Sequence, residues 1–273
     1  QAVNNEVKTL AECPMPTSQE LKTTYSNYFK HVVTAWWENN HVLQVGEKKT
    51  MQNGTFIEPE ALEMFSYRMK QGTLGSLRDQ SSIVLSESAA KALFGDSDPL
   101  NQSIRIDNNI DVKVTGVFEQ MPYNSRFHNV QFLGNWDMWV ARNAWLEADT
   151  HRWSKTISTF VELQPGVTVE EVSRAIADLK KKNISAEQAG SENPELFLEL
   201  MARWHLYSTF KDGKSVGGRI QLVWLFGTIG AFVLFLACIN FMNLSTAQSE
   251  RRAREVGIRK SIGSMRSQLI QQF

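Results

Sequence analysis

Residues 220–244 read IQLVWLFGTIGAFVLFLACINFMNL, twenty-five successive positions without a charge. As a helix rising ~1.5 Å per residue, this run is ~37 Å long, enough to cross a ~30 Å hydrocarbon core with some tilt. A buried helix in a soluble protein is the competing reading, but the run is longer than such a helix usually needs. The segment after it, SERRAREVGIRKSIGSMRSQLIQQF, is strongly basic.

Upstream, the apolar pattern breaks into shorter periods. Residues 17–30 place Leu21, Tyr25, Tyr28 and Phe29 at helical spacing behind Ser18. Residues 32–36 and 41–45 read as strands about Glu38-Asn39-Asn40, which predicts a hairpin, and Asn53-Gly54 predicts a tight turn. Pro59 opens a helix through Phe65. Ile83-Val84-Leu85 reads as a strand, followed by a helix capped by Ser86, faced by Ala89, Ala90, Leu93 and Phe94, and stopped by Gly95. Residues 103–107 and 111–118 alternate about Asn108-Asn109 as a second hairpin, and 121–125 break the pattern. A βαβ-like piece follows: a strand at 157–163, a turn at Pro165-Gly166, a helix over 169–182 and a returning strand at 196–201. Val169, Val172, Ile176 and Leu179 share one face of that helix. The order predicts an α+β domain with a second subdomain inserted in its middle.

The formal net charge of the 273 residues is zero, but it is unevenly spread. From Arg219 onward there are seven basic residues and two acidic ones, Glu250 and Glu255, which leaves 22 basic and 27 acidic in 1–218, a net of −5. Arg251, Arg252, Arg254, Arg259, Lys260 and Arg266 follow the apolar run, against Lys211, Lys214 and Arg219 before it. That bias puts 250–273 in the cytoplasm and 1–218 outside. Cys13 and Cys238 then lie in different compartments and do not pair, and a domain without disulfides is compatible with a bacterial envelope. Export of 1–218 predicts a further transmembrane helix before Gln1, and the closing Leu-Ile-Gln-Gln-Phe reads as the approach to another apolar segment.

No GxxxxGK[ST] or GxGxxG motif occurs. His31, His41, His128, His151 and His205 are scattered without metal-ligand spacing and read as surface or loop residues. The tryptophans group at 36–37 and 136–153, which reads as core and subdomain packing ahead of a patch for hydrophobic cargo. No catalytic, cofactor or metal site is expected. Within the apolar run, Gly227 and Gly230 permit close helix approach, and Asn240 and Asn243 are expected to face protein rather than lipid.

The segment 236–273, LACINFMNLSTAQSERRAREVGIRKSIGSMRSQLIQQF, resembles the MacB/FtsX-like family of ABC-transporter permeases. The resemblance centres on Glu255, Val256, Gly257, Ile258, Arg259 and Lys260 with Gly263, and extends through IVLSESAAKALFGDSDP, VTGVFEQMPYNS and VELQPGV. Residues 1–50 match least, and the whole is similar to the first half of two-repeat permeases common in Bacteroidota.

The resemblance implies a periplasmic core domain at 1–218, with porter-like α/β parts at about 1–45 and 126–218 and an inserted β-rich subdomain at about 46–125. It also implies a transmembrane helix at 219–249 and a cytoplasmic coupling segment at 250–273, in a bacterial inner membrane. The implied function is that of a non-enzymatic permease subunit without a cofactor. It would couple cytoplasmic ATP hydrolysis to periplasmic motion for export of peptides, antibiotics, lipids or lipoproteins. The implied partners are a cytoplasmic ABC ATPase, a second permease half or a second copy, and a periplasmic adaptor with an outer-membrane channel, not nucleic acid. Glu255–Lys260 and Gly263 would meet the ATPase. Two other readings stay open: a mechanotransmitting regulator of a periplasmic cell-wall hydrolase, and a membrane-anchored sensor ectodomain. The basic helix after the span argues against the second, because a simple anchor needs none. An envelope enzyme ranks last, for want of a recognisable site.

Overall fold

The computed structural model describes residues 2–3, 6–149, 153 and 156–263. It comprises two compact units, Gln1–Leu200 and Met201–Phe273.

The first unit opens with β1 (Ala2–Val3), β2 (Glu6–Val7), β3 (Cys13–Pro14) and α1 (Pro16–Thr23). Next come β4 (Phe29–Ala35), β5 (Asn39–Val45), β6 (Lys48–Ile57), α2 (Ala61–Met64), β7 (Met69–Gln71) and β8 (Ser82–Ser86). The chain continues through α3 (Glu87–Phe94), β9 (Ser103–Ile106), β10 (Ile110–Phe118), β11 (Phe132–Asn135), α4 (Trp136–Arg142) and α5 (Ala144–Asp149). It ends with β12 (Thr156–Leu163), α6 (Val169–Ile176), α7 (Leu179–Asn183) and α8 (Ala186–Glu192).

Six strands close into a ring. β5 pairs β6, β6 pairs β11, β11 pairs β8, β8 pairs β10, β10 pairs β9, and β9 returns to β5. The β6–β11 and β8–β10 pairs are parallel and the other four antiparallel. Alternation along each strand divides the burial. Phe56, Ile83, Leu85 and Phe132 join Leu43, Ile104, Ile106, Val112 and Val114 in one core, together with Ala89, Ala90 and Leu93 of α3. Their strand neighbours Ile57, Val84 and Leu133 point the other way, into a second core with Val33, Ala35, Leu62 and Phe118. The ring therefore buries both faces of β8, of β11 and of the Gly54–Ile57 end of β6.

β4 joins the ring through Ala35 opposite Ile57, and its own length pairs antiparallel with β12. Leu21, Val172, Ile176 and Leu179, from α1, α6 and α7, pack with Phe29 and Val32 of β4. The fold is thus mixed α and β, as the element order predicts.

Several local expectations are overturned. The strands at 32–36 and 41–45 do not form a hairpin, because β4 takes β12 as its partner and β5 takes β6 and β9. Asn53-Gly54 lies inside β6, and the turn before it is at Gly46, with φ 55°. Helix α1 stops at Thr23, and a 3-10 turn at Ser26–Tyr28 leads Phe29 into β4. The second hairpin, by contrast, forms as expected, with Ile106 paired to Ile110 around a turn of Asp107, Asn108 and Asn109 in which Asp107 and Asn108 take φ 48° and 56°. The helix expected over 169–182 is divided between α6 and α7. Residues 196–200 are not a strand. Leu196 N donates to Ala177 O and Leu198 N to Ser173 Oγ, so the segment lies along α6 rather than a sheet edge.

The second unit contains a 3-10 turn (Met201–Arg203), β13 (Thr209–Lys211), β14 (Lys214–Gly217) and α9 (Arg219–Ser261).

Candidate functional site

Helix α9 runs unbroken for 43 residues, ~64 Å at helical rise. Residues 244–256 contain neither Gly nor Pro, and Ala, Gln, Glu and Arg there favour helix. The most apolar window of α9 has a mean hydropathy of 2.5 and none of it is buried. It is long and apolar enough to cross a membrane, and among the described residues no core packs around it as the competing reading of a soluble core helix requires.

The glycines and asparagines of this helix do not form a single face. At about 100° per residue, Gly230 stands about 60° from Gly227, whereas Asn240 and Asn243 stand about 140° and 160° from it. Gly227, Ala231, Cys238 and Ser245 lie within about 40° of one another, a row of small side chains that a search for glycine alone misses. A Cβ on Gly227 or Gly230 meets nothing within 4 Å.

The residues expected to meet the ATPase, Glu255–Lys260, form the last turns of α9. Glu255 and Arg259 are one turn apart on one side, with Ile258 and Ile262 beside them. Val256 and Lys260 lie on another side, and Val256 and Ile258 are about 160° apart. Val256 is half-buried, and Glu255, Gly257, Ile258, Arg259 and Lys260 are exposed. Nothing lies within 4 Å of a Cβ built on Gly257. The helix ends where Ile262 N donates to Ile258 O, Gly263 N donates to Lys260 O and Gly263 turns to φ 97°. Gly263 thus terminates the helix, the usual use of glycine at a positive φ. Arg266 and the chain's final residues lie outside the described residues.

In the first unit the two tryptophan groups meet. Trp36 stacks on Trp37 with centroids 5.1 Å apart, and stands 5.7 Å from Trp145 and 6.3 Å from Trp139. Trp139 stacks on Phe56 at 4.0 Å, while Trp37 and Trp145 remain 44% and 49% exposed. The expectation of subdomain packing describes most of the cluster.

His31 and His41 are not loop residues. His41 on β5 donates from Nδ1 to Asp107 Oδ2 at 2.6 Å, and Asp107 Oδ1 accepts from Val42 N at 2.8 Å. One carboxylate so fastens the β9–β10 turn to β5, where the ring closes. His31 on β4 donates to Glu162 Oε2 on β12 at 2.8 Å, with Lys30 at 3.1 Å from Oε1. The hydrogen bond from His31, then the bond and charge of Lys30, hold the Glu162 carboxyl below its ordinary value. His151 lies outside the described residues.

The hairpin β13–β14 is not among the elements expected from the sequence. Its signal is Asp212-Gly213 between Lys211 and Lys214, with φ 51° and 75°.

The profile of the MacB-like periplasmic core domain matches residues 11–179. The chain belongs to that family. The macrolide export ATP-binding/permease protein MacB of Neisseria meningitidis serogroup A is 24% identical over 195 residues, covering 71% of this chain and 27% of that protein. The ABC transporter permease YvrN of Bacillus subtilis is 24% identical over 222 residues, covering 80% of this chain and 51% of its own length. The chain therefore spans only about a quarter to a half of these relatives. Among solved structures, the extracellular domain of the noncanonic ABC-type transporter YknZ from Gram-positive bacteria superimposes with a TM-score of 0.52 at 15% identity, over 73% of this chain and 96% of that one. A domain described as part of a Porphyromonas gingivalis permease gives 0.52 at 22% identity, over 65% and 81%. Both likenesses are of fold. A MacB-like periplasmic core domain of the ABC permease type is thus joined in one chain to a helix able to cross a membrane.

Proposed function

We propose that this chain is the mechanical arm of an ABC permease. Residues 1–218 form its periplasmic core domain, 219–249 cross the inner membrane, and 250–273 reach a cytoplasmic ABC ATPase. The inserted β-rich subdomain at about 46–125 supplies β6, β8, β9 and β10 of the strand ring, and the flanking parts, read as porter-like, lend it β5 and β11 besides holding the β4–β12 pair and its helices. The chain contributes no ATPase chemistry of its own. It works beside a second permease half or a second copy, with a periplasmic adaptor and an outer-membrane channel as further partners. Its cargo class is peptides, antibiotics, lipids or lipoproteins, and the macrolide export named for the Neisseria relative falls within that class.

The observation that supports this reading is the continuity of α9. A helix without a break through Thr246, Ala247 and Gln248 transmits a displacement at Glu255 to Arg219, whereas a hinge there would absorb it. The test is Ala247→Pro, since proline removes a helical hydrogen bond and kinks the rod. In the complex with its ATPase, a fluorophore on Lys48→Cys should change emission on ATP addition. Ala247→Pro should abolish that change while membrane insertion and ATPase co-purification persist. An undiminished ATP response in Ala247→Pro overturns the mechanism, and Ala247→Leu is the control.

A further inference from the structure

Charge reverses sign just before the span. Residues 1–200 hold 19 basic and 26 acidic side chains, a net of −7. Residues 201–219 hold Arg203, Lys211, Lys214 and Arg219 against Asp212 alone, a net of +3. Basic residues on the outer side run against the usual flanking bias, so topology does not account for them.

The structure fastens these residues to the head of α9. Lys211 sits opposite Lys214 at the tip of the β13–β14 hairpin, and Phe210 sits opposite Ser215. Ile220 N donates to Leu206 O at 3.1 Å, and Ser215 Oγ donates to Tyr207 O at 3.2 Å. Gln221 Nε2 donates to Val216 O at 3.3 Å. A Cβ on Gly218, which has φ 138°, would lie 3.0 Å from Leu206 O. Residues 206–218 thus wrap the N-terminus of the helix.

The dimensions suit a bilayer surface. The lysine pair is three strand residues, ~10 Å, from Gly217. The headgroup zone is ~5–8 Å deep on each side of the hydrocarbon, and lysine stems are long enough to lay their ammonium groups into it. Trp204 and Tyr207 are half-buried in the same collar, and the Arg203 guanidinium lies 4.8 Å over the Tyr207 ring. Trp224, in the second turn of α9, is 72% exposed and Val216 is 49% exposed. Trp and Tyr favour the membrane–water boundary, where an apolar body and a polar tip are both satisfied.

We propose that residues 203–219 form a collar that binds anionic phospholipid headgroups in the outer leaflet of the membrane α9 crosses. Lys211, Lys214 and Arg219 meet the phosphates, and Trp204, Tyr207 and Trp224 set the depth. The collar gives the base of the rod a fixed seat, and it rests on the reading of α9 as a span.

The test uses the full chain in vesicles of phosphatidylcholine and phosphatidylglycerol, with one or the other lipid brominated in its acyl chains. Bromine quenches only neighbouring indoles, so Trp224 reports the outer end of the span and not its basic cytoplasmic end. Brominated phosphatidylglycerol should quench the wild type more strongly than brominated phosphatidylcholine, with a preference of about fivefold per lysine engaged. Lys211→Gln with Lys214→Gln should reduce the preference to what Arg219 alone supports, about fivefold, and Lys211→Arg with Lys214→Arg should keep it whole. Equal quenching in the wild type, or an unchanged preference in the glutamine pair, overturns the collar alone. Extraction of the wild-type chain from the vesicles by alkaline carbonate overturns the span and the collar together.

Discussion

Gly54 stands directly opposite Phe132 across the parallel β6–β11 pair, and the phenyl ring occupies the space a Cβ on Gly54 would need. The arrangement is reciprocal. Gly134 stands opposite Phe56, and a Cβ there would lie 2.5 Å from that ring. The two rings meet edge-on with centroids 6.0 Å apart. Two glycines thus let two aromatic rings lie over the backbone of the β6–β11 pair.

Gly54→Ala should therefore destabilise the fold, by about 1–3 kcal/mol as overpacking does in a filled core. The urea midpoint of the purified chain measures it. Phe132→Leu should recover part of the loss in the Gly54→Ala background, because the smaller side chain vacates the contested space. Equal midpoints for wild type and Gly54→Ala would show that the ring moves aside freely.

The His31–Glu162 pair sets a pH dependence. The Glu162 carboxyl titrates below its ordinary value of 4.5 in the folded state, so its contribution is full above that value and fades as the pH falls through the lowered one. Glu162 is partly exposed and the effect is screened. Wild type should melt higher than Glu162→Gln at neutral pH, and the gap should close below 4.5. A gap that stays constant on acidification would remove this pair from the acid response.

The proposed orientation of α9 predicts opposite labelling at its two sides. Lys48→Cys should react with a membrane-impermeant maleimide in intact spheroplasts, and Ser261→Cys only after lysis. Labelling of Ser261→Cys in intact cells would reverse the topology.

Gly257 separates docking from mere topology. Its Cβ direction is open, so Gly257→Trp should leave insertion and the melting of the periplasmic domain unchanged. A bulky ring at a docking surface should still weaken co-purification of the ATPase. Gly257→Ala, which adds only a methyl, should keep the ATPase and stiffen the helix by about 1 kcal/mol. Full ATPase retention in Gly257→Trp would leave the basic residues as a topology signal only.

What the sequence by itself determined is whatever depends on residues near one another in the chain. The uncharged run foretells the apolar part of α9. Ser86 and Gly95 bound α3 as expected: Ser86 Oγ accepts from Ala89 N, and Gly95 takes φ 64°. Pro165-Gly166 turns β12 toward α6, whose Val172 and Ile176 are buried as their spacing predicts. The family resemblance was legible too, because its motifs are contiguous. Only the tertiary structure decided which strands pair. Asn53-Gly54 has the local chemistry of a turn, but β11 arrives from nearly eighty residues away and needs a backbone without a side chain, so the pair is held in a strand. His41 has the composition of a surface residue until Asp107 closes the ring over it. The residues proposed for coupling have a spacing, but only an unbroken helix turns Val256 and Ile258 away from each other. Strand partners and helix continuity are set by burial and packing over the whole unit, and no local window of sequence contains the groups that compete for them.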